Sequence, residues 1–426
     1  MTDTKRRVVV TGLGVVTSLG LNVEESWEKM LKGTPGIRRI TLPQTASSPV
    51  QAVGEVADSD WTTIKNEFRE EAQEEGERRT LFALWAAQSA MNDAGIPGGG
   101  GEKYGIVLAA GLGINRLEDI QGWINHDRSF DMTMFGKEHK AVHRESIMKN
   151  NSHRPSSLIA RKFGLHSINC TVTTACASAT QALGIGYRSI QRGDADLVLA
   201  GGADSMINPI GLVFFVLLNA AAVSPENPGE ACRPFDRKRA GLVMGEGAGI
   251  AVLEERSHAI KRGATIYAEL AGYGSSMDAY QVTAPLPRGE GAELSMRSAL
   301  TDARLKPDNI DYINAHGTST KLNDAAETLA IKRVFGDHAY RLSVSSSKSM
   351  IGHLLAASGG PEFVYTTLSV YRDEIHPTIN LKSPDPKCDL DYVPNVKRSR
   401  TVGAALSNSF GFGGQNASII VKKYAE

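Results

Sequence analysis

The chain has 426 residues, and its 47 Lys and Arg balance 47 Asp and Glu to a formal net charge of zero, so no global field draws it to nucleic acid. With 41% hydrophobic residues, 22% charged residues and 43 glycines, it has the composition of a globular α/β enzyme with many tight turns. Its four cysteines, Cys170, Cys176, Cys232 and Cys388, form no CxxC pair and no regular framework, which argues against structural zinc and a disulfide scaffold and for a reducing compartment.

Met1 to Arg7 pass directly into a β-branched run, Val8–Thr11, and leave no room for a signal peptide, so a cytoplasmic protein is expected. Gly12-Leu13-Gly14 follows that strand as a dinucleotide-binding turn would. It lacks a third glycine and an acidic residue about 20 positions on, and a tight strand-to-helix turn is the better expectation. Apolar residues at helical spacing predict a helix over Arg79–Ala94, and Gly98-Gly99-Gly100-Gly101 reads as a surface turn before a strand at Gly105–Ala109. A helix at Ser156–Phe163, a strand at Asn169–Thr173, a helix at Ala177–Gln191 and strands at Leu197–Ala200 and Ile250–Leu253 follow. Between the last two lies an apolar run, Ile210–Val223, which falls short of the roughly 20 residues of a membrane span and reads as a buried helix.

After Glu254-Glu255-Arg256 the rhythm begins again, with strands predicted at Thr265–Leu270, Tyr312–Ala315, Arg341–Val344, Gly403–Ser407 and Ala417–Val421. Strand, helix, strand implies parallel sheets covered by helices. The restart implies two closely packed halves, 1–258 and 259–426, of one duplicated architecture.

Four of these strands run into small-residue turns that carry polar side chains. In Val172-Thr173-Thr174-Ala175-Cys176-Ala177-Ser178-Ala179 a cysteine stands where a strand gives way to a helix. Unpaired N–H groups and the positive end of the helix dipole there favour the thiolate. Taken alone, a cysteine among alanines is as readily a small buried hydrophobe. The other three segments are Ile313-Asn314-Ala315-His316-Gly317-Thr318-Ser319-Thr320, Ser345-Ser346-Ser347-Lys348-Ser349-Met350-Ile351-Gly352-His353 and Ser407-Asn408-Ser409-Phe410-Gly411-Phe412-Gly413-Gly414. Singly, His316 reads as a structural histidine and Lys348 as a solvated side chain. Together they suggest one site, because α/β proteins bind ligands at the carboxyl ends of their strands.

These segments, in this order and at these separations, resemble the motifs of the β-ketoacyl-acyl-carrier-protein synthases, the elongating condensing enzymes of the thiolase superfamily. The similarity runs from Val8 to Val421. The resemblance implies a thiolase-like α/β fold of two duplicated halves in α-β-α-β-α layers. It implies that Cys176 is acylated by a carrier-bound thioester, and that a malonyl-carrier protein then loses carbon dioxide to give an enolate that attacks the acyl-enzyme. His316 and His353, as neutral imidazoles, would donate N–H bonds to the thioester oxygen, with Lys348 holding them neutral and oriented. Phe412 would gate the pocket on its glycine hinges and lend a backbone N–H; Phe215 would line the acyl pocket, and Thr318 and Thr320 would meet the pantetheine arm. The family implies a homodimer partnered by acyl carrier protein, with no metal, cofactor, nucleic acid or membrane. Glu362 and Asp278 match acidic family positions with structural or ion-linked roles, outside the catalytic set.

Two departures stand out. Asn208–Asn219 is bulkier than the Gly/Ala-rich pattern of fatty-acid members, and Asn219 stands where relatives often carry a carrier-gripping arginine. Arg78-Arg79, with Lys149 or Arg154, offers a basic patch in its place, although a solvated helix face would look the same. The bulky segment keeps open a specialised polyketide or polyene synthase. A non-catalytic partner subunit is the reading Cys176 opposes, and thiolase proper would need a second cysteine where Asn408-Ser409-Phe410 stands.

Overall fold

In the computed structural model, which describes residues 6–41, 45, 47–75, 77–98, 100–113, 121–139, 151–223 and 227–426, ten strands form one hydrogen-bonded sheet. The strands are β1 (Val8–Val16), β2 (Tyr104–Ala110), β3 (Asn169–Val172), β4 (Leu197–Asp204) and β5 (Gly247–Glu255), then β6 (Ala268–Met277), β7 (Tyr312–Asn314), β8 (Ser343–Ser345), β9 (Ala404–Phe410) and β10 (Gln415–Lys422). Their order across the sheet is 8-7-9-10-6-1-5-4-2-3. Outward from the central pair, the first five run 1-5-4-2-3 and the second five 6-10-9-7-8, so the same order occurs twice. An antiparallel pairing of Val8–Val10 with Ala268–Leu270 joins the two sets.

Each of the ten predicted strands overlaps an observed one, with ends that differ by up to several residues, but the sheet is mixed, not parallel. β2, β3 and β4 are parallel, as are β7, β8 and β9, while β1, β5, β6 and β10 meet their neighbours antiparallel. For β9 and β10 the cause is local: the four residues Gly411–Gly414 between them can make a hairpin and are far too few for a crossover. Helices α1 (Arg78–Asp93) and α2 (Arg154–Phe163) cover the first half, and α5 (Glu290–Ala303) and α6 (Lys321–Phe335) the second. Between the halves lie α3 (Ser178–Arg192) and α7 (Gly359–Arg372), whose Leu183, Tyr187, Phe363 and Leu368 share one core with Val8, Leu253 and Val421. The result is a layered α-β-α-β-α arrangement.

Two sequence expectations fail here, the first for a steric reason and the second because one side of a helix is left uncovered. Gly12-Leu13-Gly14 is no turn; it is mid-strand in β1, where a Cβ on Gly12 would lie 2.2 Å from the Ala90 carbonyl and one on Gly14 2.0 Å from that of Ala86. These glycines let α1 settle directly on the strand. The apolar run at 210–223 forms α4 (Pro209–Leu217), capped by the Asn208 side chain accepting from Gly211 N–H. It is apolar all round and only one side is covered: Leu212 is buried, while Val213, Phe214 and Leu217 are exposed, Leu217 to 73%. No helix among the described residues is long and apolar enough to cross a membrane.

Candidate active site

The four turns meet at the carboxyl ends of β3, β7, β8 and β9. Cys176 sits on a tight turn between β3 and α3, with Ala175 forced to φ +49°. The Ser178 hydroxyl accepts from Thr174 N–H at 2.7 Å and donates to the Ala175 carbonyl at 2.6 Å, bracing that turn. Gly411, from the β9–β10 turn, lies against it: a Cβ there would be 3.0 Å from the Cys176 nitrogen. This close approach lets the Phe412 N–H reach the Cys176 sulfur.

The sulfur, His316 and His353 are all buried, and their ligand atoms lie within 4.8 Å of one another. His353 Nε2 is 3.1 Å from Cys176 Sγ. The other ring nitrogen fixes the tautomer, because His353 Nδ1 accepts the Leu355 N–H at 3.1 Å and lies 2.7 Å from the Ser358 hydroxyl. A backbone N–H can only donate, so Nδ1 carries no proton and Nε2–H faces the sulfur. His316 repeats the pattern with a different donor, Lys348 Nζ, 3.4 Å from its Nδ1. The two rings stand edge to face, centroids 5.3 Å apart. Both imidazoles are held well below their usual pKa, first by burial and then by the Lys348 charge, so they stay neutral near pH 7.

Behind them, Lys348 is ion-paired with Glu362, both fully buried. Burial pushes Glu362 up to about 7 against the pull of Lys348. Glu327, near the start of α6, is the acid the sequence reading missed. Its two oxygens accept the His316 and Gly317 N–H groups, each at 2.9 Å, and Asn408 donates to it at 3.2 Å. The only sequence signal was a carboxylate in the second turn of the helix that follows the His316 loop. Asp278 takes a structural place: it accepts from Asn416 at 2.7 Å and from Leu286 N–H at 3.0 Å.

Cys176 and Phe412 stand where two cavities meet. One, of about 380 Å³, is lined by His316, His353, Thr318, Thr320, Asn219 and Lys321. The other, of about 480 Å³, is mostly apolar and is lined by Phe214, Phe215, Leu217, Leu218, Leu112 and Met206. The structure thus puts Thr318 and Thr320 on one side of the cysteine and Phe215 on the other, with Phe412 between.

Two expectations are corrected. The helix end does not win at Cys176: burial outweighs the Phe412 N–H and the Lys348 charge and pushes the thiol up to about 11, so it rests protonated. The proposed basic patch is committed elsewhere. Arg79 is buried, bonded to the Gly111 carbonyl at 2.7 Å and paired with Glu77; Arg78 pairs with Glu246 at 2.5 Å and lies over the Trp61 ring; Arg154 pairs with Glu75. Lys149 lies outside the described residues.

Residues 5–259 match the model of the β-ketoacyl synthase N-terminal domain and residues 267–382 that of the C-terminal domain. Over 423 residues, 99% of each chain, it is 42% identical to 3-oxoacyl-[acyl-carrier-protein] synthase 2 of Synechocystis, and 39% identical to that of Coxiella burnetii over 98% of this chain and 99% of the other. Among solved structures it is similar to a type II polyketide ketosynthase in complex with its acyl-carrier protein and bound to the hexaketide (TM-score 0.89, 34% identity, 99% and 100% covered). A β-ketoacyl synthase from Burkholderia phymatum is also close in fold (TM-score 0.85, 33% identity, 99% and 100% covered). Fold, ordered motifs and whole-length identity agree: the chain belongs to the β-ketoacyl synthase family.

Proposed function

We propose that the protein carries out decarboxylative condensation of a malonyl-carrier thioester with an acyl chain held on Cys176, extending the chain by two carbons. The observation that carries this is the pairing of a buried cysteine with two neutral, Nε2-protonated histidines at the junction of two cavities. In the first half-reaction the Cys176 sulfur attacks the acyl thioester, and the thiol proton leaves with the carrier thiol. In the second, the malonyl C–C bond breaks, the carboxylate leaves as carbon dioxide, and the electron pair of that bond becomes an enolate, which the two Nε2–H donors stabilise. The enolate carbon bonds to the acyl carbon, the C–S bond to Cys176 breaks, and the released thiolate takes up a proton. A neutral imidazole suits this work where a carboxylate would repel the forming charge. Lys348, Glu362 and Glu327 are positioning residues in this scheme. Phe412 gates the junction and supplies an N–H, Thr318 and Thr320 receive the pantetheine arm, and Phe215 lines the acyl chamber.

The carrier protein is the proposed partner and the cytoplasm the proposed setting. A homodimer is proposed from the exposed apolar side of α4, and the repeated strand order supports division into halves 1–258 and 259–426. Leu217→Glu should then lower the oligomeric state in sedimentation; unchanged mass would speak against that face. A specialised polyketide or polyene role remains a second reading, favoured by the bulky Phe214–Leu218 wall. The deciding experiment is mass spectrometry of protein mixed with acyl-carrier thioesters of varied length and unsaturation, followed by malonyl-carrier protein. A chain's mass on Cys176, lost on extension, is expected. No adduct with any thioester would overturn the enzyme reading, and equal use of ordinary saturated chains would dismiss the specialised one.

A further inference from the structure

The Nε2–H of His353 depends on an unusual backbone. Leu355, whose N–H donates to His353 Nδ1, sits at φ +51°, a left-handed conformation that is unfavourable for a residue with a Cβ. The next amide explains how it is held: Ala356 N–H donates at 3.0 Å to Asp204 Oδ2. Asp204 is the last residue of β4, is almost fully buried, and borders the apolar acyl cavity. Its other oxygen accepts Ser205 N–H at 2.9 Å, and Gly111 packs so closely that a Cβ there would be 2.4 Å from Oδ1. The carboxyl group is therefore clamped from three sides with one oxygen aimed at the Leu355–Ala357 turn.

We propose that Asp204 is a positioning residue which, through Ala356, holds Leu355 in the conformation that fixes His353 as the Nε2–H tautomer. It ties the wall of the acyl chamber to the donor that meets the enolate. The functional consequence rests on the condensation reading above, but the structural claim does not, and the two can fail separately.

Imidazole ¹⁵N NMR of histidine-labelled protein reads the tautomer without any turnover, the His353 signals being identified by their loss in His353→Asn. In the parent protein Nδ1 should be unprotonated and Nε2 protonated. Asp204→Leu should give mixed tautomers and reduce malonyl-carrier decarboxylation at least about tenfold, a milder loss than the hundredfold or more of deleting a donor outright. Asp204→Asn keeps one oxygen, which can accept from Ala356 N–H only with its NH2 turned on Ser205 N–H, so its spectrum should lie between those of the parent and the Leu variant. If Asp204→Leu does not fold, Asp204→Ala, which leaves space in place of bulk, gives the same reading. A parent-like tautomer in the Leu or Ala variant would overturn the proposal. An altered tautomer in a protein that never acylates Cys176 would sustain it while removing the condensation reading.

Discussion

At the scale of single residues, the histidines divide the labour that a list of motifs leaves merged. His353 lies 3.1 Å from the nucleophile, whereas His316 takes its Nδ1 partner from Lys348; both line the cavity that holds Thr318 and Thr320. His316→Ala should therefore cut malonyl-carrier decarboxylation by about a hundredfold or more while leaving acylation of Cys176 nearly intact. Acyl-enzyme mass and carbon dioxide release, measured on the same variant, check this; loss of acylation would mean that His316 activates the thiol. Cys176, His316, Lys348 and His353 were candidates in the sequence because four strands run into small-residue turns with polar side chains and because those turns together resemble the motifs of one family; the structure brings the four residues together. The thiol's protonated resting state could not be read there, since burial comes from side chains spread over the whole chain. Glu327 and Asp204 escaped for the same reason: each acts through backbone amides, and sequence carries no mark of which amide a carboxylate will face.

At the scale of elements, the strands were legible because buried β-branched runs bounded by turns have few other interpretations. Their direction was not, as it depends on connection length and on which side a chain crosses. The misread Gly12-Leu13-Gly14 shows what a glycine pair can mean besides a turn. β6 repeats it: a Cβ on Gly272 would lie 2.4 Å from the Ala299 carbonyl and one on Gly274 2.2 Å from that of Ser295, on α5. Each half thus seats its outer helix on a two-glycine stretch of its central strand. Gly14→Ala and Gly274→Ala should each destabilise the fold by about 1–3 kcal/mol, since the methyl group meets backbone that cannot step aside. Chemical denaturation with unchanged m-values would register it. A loss below about 0.5 kcal/mol in either variant would show that the helix can slide, and that the close seating is incidental.

At the scale of the whole molecule, the duplicated order of strands places both halves of the site on one side of the fold, so the interior must carry polar groups. Lys348, Glu362, Glu327, His316, His353 and His376 are all nearly or fully buried there. This burial has a cost that appears as pH falls. An unfolded histidine binds a proton below about pH 6.5. Buried His376 does not do so until about 4, because burial disfavours its charged form despite the Pro377 carbonyl, and His316 and His353 are shifted the same way. Through these histidines the unfolded chain binds more protons than the native one below pH 6.5, and their contribution to stability is lost as pH falls through that window. From His376 alone the loss between pH 6.5 and 4 is about 3 kcal/mol. Glu77, Glu327 and Glu362, raised to about 7, and Asp204, raised to about 6, act in the opposite sense: they take up protons in the native state first and add stability as pH falls toward 4. Replacing His376 with Gln removes one histidine contribution without touching the site. The stability of His376→Gln relative to the parent should then rise as pH falls from 7 to 4.5, whatever its value at pH 7; a difference that does not change with pH would mean that His376 protonates as readily folded as unfolded.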